Sequence, residues 1–123
     1  MKKALCAVLS VLLLVGCATT ASRSFSSASE FDKIFAACKQ AAVDCGFGVT
    51  SVNVADGFII AQRGLGYGDV QIMNIQVTRN PTGCNVQLSV VPPSIGIRSV
   101  KGFVEKFTTA LRNRVPDVAV SSQ

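Results

Sequence analysis

The chain has 123 residues, with 12 lysines and arginines against 7 acidic residues, five cysteines and no histidine. That length suits one domain and is too short for two. The missing histidine excludes Ser-His-Asp and Cys-His nucleophilic sites in their usual forms and removes the commonest transition-metal ligand. The net charge of +5, with no lysine–arginine cluster behind it, does not argue for nucleic acid.

The first seventeen residues carry the clearest signal. Lys2 and Lys3 follow Met1, and an apolar run from Ala4 to Val15 is interrupted only by Ser10. A positive start, a short apolar stretch and small residues at the exit are the parts of a secretory signal. The run is about a dozen residues, whereas a bilayer-spanning helix needs roughly 20. A permanent span is therefore the weaker reading.

The exit itself, Leu14-Val15-Gly16-Cys17, resembles the lipobox of bacterial lipoproteins. The resemblance implies lipid attachment to the Cys17 thiol, cleavage before Cys17 and acylation of the new amino terminus. A thiol suits this chemistry because it is strongly nucleophilic near neutral pH. Each buried methylene adds about 0.8 kcal/mol to membrane attachment; one acyl chain is marginal and several are lasting. In a Gram-negative envelope, Ala18 in place of aspartate points to the outer membrane, periplasmic face. In a Gram-positive cell the same anchor would sit on the outer face of the cell membrane. Removing residues 1–16 takes Lys2 and Lys3 away and leaves 10 basic and 7 acidic residues, a balance of +3.

Residues 17–28 read as a lipidated amino terminus and a Ser/Thr/Ala-rich tether without periodicity, lifting the domain about 20 Å if flexible. A helix is expected from near Ser29, with Ser27-Ala28-Ser29-Glu30 and Ser29-Glu30-Phe31-Asp32 as overlapping capping boxes. Phe31, Ile34, Phe35, Cys38, Ala41, Ala42 and Cys45 recur at three- and four-residue spacing, and Gly46 supplies a C-cap. Four strands follow at 48–54, 58–63, 70–79 and 84–91. Asp56-Gly57 and Asn80-Pro81-Thr82-Gly83 form hairpin turns between them, and residues 64–69 form a glycine-rich loop. Two phase changes, at Val49 to Val52 and at Ile72 to Met73, each predict a β-bulge. Cys84, Val86, Leu88 and Val90 alternate with Asn85, Gln87 and Ser89, which predicts an antiparallel sheet covered on one side. A second helix is expected over 99–115, with Val100, Phe103, Val104, Phe107 and Leu111 as its stripe. Arg112 and Arg114 complement its carboxyl end, and Pro116 stops it.

The expected fold is α+β, in the order α-β-β-β-β-α. Two amphipathic helices pack on one face of a four-stranded antiparallel sheet spanning residues 29–116, with 117–123 a loose tail. In order of elements, residues 30–115 resemble the helix-grip domains of envelope lipoproteins, such as the C component of the outer-membrane protein assembly machine. Small uncharacterised Gram-negative lipoproteins share the pattern, and no functional residue carries across.

Candidate sites in the mature chain are few. Cys38 and Cys45 are seven residues apart on one helix, about 10.5 Å by rise and beyond the ~7 Å reach of a bridge. Any disulfide therefore uses Cys84, and the meander favours Cys38 as its partner. The alternative is three buried, inert thiols. Gly64, Gly66 and Gly68 flank Tyr67, the only tyrosine, in a candidate contact loop. A strand follows this loop where a phosphate cradle would open a helix. Asp44, Asp56, Asp69 and Glu105 are scattered, and three cysteines without histidine or C-x-x-C spacing make no metal site. These readings converge on a non-catalytic, cofactor-free domain that binds an envelope component. The alternative is a carrier holding a small apolar ligand between helices and sheet, with Ala36, Ala37, Ala41 and Ala42 leaving the room.

Overall fold

Alternation and helical spacing resolve into eight elements in a computed structural model, which describes residues 21–64, 70–91 and 101–121. In chain order these are β1 (Ala21–Ser27), α1 (Phe31–Asp44), β2 (Gly48–Asn53), β3 (Phe58–Gly64), β4 (Val70–Asn80), β5 (Gly83–Val91), α2 (Lys101–Arg114) and β6 (Ala119–Ser121). The strands form one sheet in the order β2-β3-β4-β5-β1-β6, antiparallel throughout. Both helices contribute to the single core cluster on one face of that sheet. The α+β class with two helices on an antiparallel sheet stands. The sheet has six strands instead of four.

The two additional strands come from the segments read as tether and tail. In β1 only Phe25 is strongly apolar, and one phenylalanine among serines makes a weak period-two signal. Its burial depends on distant partners. All seven β1 residues pair with β5, and Phe25 lies fully buried with its ring centroid 6.0 Å from that of Phe107. Past α2, Val115 and Val118 are buried, and β6 then pairs with the outer edge of β1. Ala21–Ser27 and Ala119–Ser121 are therefore strands of the sheet, where the sequence reads as tether and tail.

Helix α1 buries every position of its expected stripe, together with Ala37. Ala36 is exposed and lines no interior space. The helix ends in a Schellman motif: the Gly46 N–H donates to the Val43 carbonyl and the Phe47 N–H to that of Ala42. Gly46 takes φ +88° there, and buried Phe47 follows. The amino end differs from expectation. Glu30 is the N-cap without a side-chain cap bond, so neither capping box forms. Instead the Asp117 carboxylate, from beyond α2, accepts from the Ala28 N–H at 2.9 Å, Ser27 Oγ at 2.9 Å and Ser29 Oγ at 3.3 Å. A residue 88 positions away in the chain thus organises the approach to α1.

The meander follows the expected order. The β2–β3 register shifts between Val49 and Ser51, which is the first of the two expected bulges. The second is absent, because β4 keeps continuous register with both neighbours from Ile72 to Gln76. The phase change there has another cause. Gln71 is buried on the helix side, and Ile72 stands half-buried on the opposite face. In the β2–β3 turn Gly57 has φ +70°, and a Cβ there would strike the Val77 carbonyl. Only glycine suits both the conformation and the approach. The β4–β5 turn is held by Asn80 Oδ1, which accepts from the Thr82 N–H at 2.9 Å and Thr82 Oγ1 at 3.0 Å.

Between helices and sheet, Ile34, Ile59, Met73, Ile75, Leu88, Phe107 and Leu111 are fully buried. Ala37, Ala41 and Ala42 are buried with them and bring α1 close to the strands.

Candidate interaction surface

Strand alternation sends residues of opposite character to the two sides of the sheet. The described strands carry three charges, Arg23, Arg63 and Arg79, and all three lie on the helix side. Arg23 bridges Glu105 at 2.7 Å and donates to Thr108 Oγ1 at 3.2 Å. The Arg63 guanidinium stands 4.9 Å from the Phe103 ring centroid, and that of Arg79 stands 4.0 Å from that of Phe31. Each arginine thus ties the sheet to a helical residue. Cation–π contacts at exposed sites contribute about 0.5–1 kcal/mol each.

The opposite face is covered by no described element and carries no strand-borne charge. Its residues form rows across the register. One row runs Ser22, Ser89, Asn74, Ile60; the next Ser24, Gln87, Gln76, Phe58; the third Ser26, Asn85, Thr78. Ser24, Gln76, Thr78, Asn85, Gln87 and Ser121 line a shallow groove. Ile72, Ile60 and Phe58 are half-buried and form an apolar diagonal beside it. Amides and hydroxyls without charge can exchange hydrogen bonds with a polar partner but cannot select one by charge sign.

The sequence-derived site residues separate into two groups. Leu14, Val15, Gly16 and Cys17 lie outside the described residues, as do Gly66, Tyr67 and Gly68 of the candidate contact loop. Gly64 is the exposed last residue of β3. Cys38, Cys45 and Cys84 are all buried and all free thiols. Burial first, and then the nearby Cys84, push the Cys38 thiol up to about 12. Burial pushes Cys45 up to about 11, with Lys106 acting against it. Burial also raises Cys84, with Arg79 opposing. In all three, burial favours the protonated thiol. Protonated thiols are poor nucleophiles.

Among the described residues no group of three cysteine or acidic side chains could hold a metal ion. Asp44 bridges Arg114 at 2.8 Å, Glu105 bridges Arg23, and Asp56 lies in the β2–β3 turn, where its N–H donates to Asn53 Oδ1. Two residues escape sequence reasoning, one on this face and one away from it. Ser24 falls in the expected tether, and its place across from Gln87 depends on a pairing that no local pattern encodes. Asp117 falls in the expected tail; it clasps the approach to α1, and its carboxyl is held below the usual range by the Ala28 N–H first and by the Ser27 hydroxyl next. No protein-family model matches the chain, and no curated protein matches it.

Proposed function

We propose that this chain is a lipid-anchored envelope protein, held through acyl chains on Cys17, whose domain binds another envelope component through the open face of its sheet. The reading places it in the lipoprotein class, at the periplasmic face of the outer membrane in a Gram-negative cell. The single observation that carries the binding role is the division of the sheet: every strand-borne charge serves the helices, and the opposite face presents uncharged amides and hydroxyls. Lipobox residues Leu14, Val15, Gly16 and Cys17 support the anchoring. Buried, protonated thiols and carboxylates engaged in structural contacts support a non-catalytic role.

One experiment with two arms tests this reading. A photo-reactive residue at position 87 in intact cells should yield a discrete cross-linked adduct, and the same residue at exposed Asp32 on α1 should not. In parallel, Cys17→Ser should release the domain from membranes or leave an unprocessed precursor. A Cys17→Ser protein that still fractionates as mature and lipidated would overturn the anchoring. Equal labelling from both positions would overturn the assignment of the face.

A further inference from the structure

Strand β1 begins at Ala21, so only residues 18–20 separate the described domain from Cys17. Four residues of fully extended chain reach about 14 Å. We infer that the domain stands on the bilayer by the end of the sheet at which β1 starts, with the β2–β3 and β4–β5 turns pointing away. This orientation rests on the proposed anchoring at Cys17.

The register identifies the two ends. Ala21 pairs with Val90, Val91 with Ile72, Val70 with Gly64, and Gln62 with Gly48. The starts of β1, β2 and β4 therefore lie beside the ends of β3 and β5. Helix α1 also finishes here, one short turn before Gly48. The other end gathers the β2–β3 turn, the β4–β5 turn and the Ser27–Asp117 clasp. Eleven residues of β4 separate the ends by roughly 35 Å at strand rise.

Most of the described carboxylates divide the same way. Among the described residues, Glu30, Asp32, Asp56 and Asp117 all sit at the distal end. The two described acids nearer the anchor, Asp44 and Glu105, are each bridged to an arginine; Asp69, outside the described residues, precedes Val70 in the chain. An anionic lipid surface repels unneutralised carboxylates most strongly within a Debye length, about 8–10 Å. Exposed valines occur at both ends, Val43 and Val70 (48% and 42% accessible) at the anchored one and Val52 and Val54 (42% and 55%) beside the β2–β3 turn, so apolar exposure does not set the orientation. Lying flat on the open sheet face would instead strip water from Asn74, Gln76, Asn85 and Gln87. Standing upright leaves that face free for its partner.

The chain contains no tryptophan, so one introduced indole reports alone. Lipidated Val70→Trp and Val43→Trp proteins report the anchored end, and Thr82→Trp and Ala55→Trp the distal end. All four positions are exposed, and two at each end guard against one variant misfolding. The proteins are placed in phosphatidylethanolamine–phosphatidylglycerol vesicles containing a dansyl-headgroup lipid. Energy transfer should be several-fold greater from positions 70 and 43 than from 82 and 55. Equal or reversed transfer in protein that floats with the vesicles would overturn the orientation alone. Protein that carries no lipid and fails to float would overturn the anchoring, and the orientation with it.

Discussion

The two faces of the sheet are built by the same strands and differ in what holds each side chain. On the covered face Phe25, Ile59, Met73, Ile75, Leu88 and Val90 are fully buried, and three arginines lie around them. Each guanidinium there meets a helical residue, and long side chains of this type can lay their stems along apolar surface while the charge stays near water. On the open face the corresponding alternate positions are serine, asparagine, glutamine and threonine, plus the Ile72–Ile60–Phe58 diagonal. One face is committed to the fold by apolar burial and charge. The other is released from that duty, and its chemistry is free to follow a partner.

The contrast can be broken most severely from the covered side. Phe107→Ala removes a fully buried ring that meets Phe25, and should cost about 3–5 kcal/mol in urea or guanidinium unfolding. A loss below about 1 kcal/mol would show that the covered face is not a close-packed layer. A smaller effect is expected at the clasp. The Asp117 carboxyl has its folded pKa lowered by the Ala28 N–H first and the Ser27 hydroxyl next. The unfolded chain therefore binds that proton more readily. The stabilisation is present above the unfolded value, about 3.9, and is lost as pH falls through the folded value. Asp117→Asn should flatten the acid side of the stability–pH curve below about pH 4, measured by denaturation at stepped pH. An unchanged acid limb would mean that the clasp does not distinguish folded from unfolded chain. The least effect belongs to the open face. Gln87→Ala should shift stability by no more than about 0.5 kcal/mol while reducing adduct formation at the groove. A larger loss of stability would make that row part of the fold.

How far each face could be read beforehand follows the range of its interactions. Helix α1 and strands β2 to β5 were legible because their apolar positions repeat within a few residues and glycines mark the turns. Cys84, Val86, Leu88 and Val90 alternate so regularly that both faces of β5 were assigned from sequence. At β4 the rule misled: Gln71 is buried and Ile72 faces the open side, so a regular strand imitates a bulge. The segments at either end of the domain were missed for a different reason. β1 has one strong apolar residue, β6 has three residues, and both depend on pairings between distant parts of the chain. The Asp117 clasp has the same origin. A capping box is a local signal, and here the acceptor that serves Ser27, Ala28 and Ser29 arrives from the far side of the fold. The β1 member of each open-face row, Ser22, Ser24 or Ser26, was hidden with β1.

The position of β1 also sets the order in which the molecule can be completed. Ser24 pairs with Gln87 on one side and with Ser121 on the other, so the strand made first receives its neighbours last. Pairings so distant in sequence close slowly, because loop-closure entropy must be lost before they contribute. A chain emerging from its amino end would therefore present β1 as an unpaired, serine-rich segment until almost all of the domain had followed. The topology delays closure of the sheet until synthesis is nearly finished.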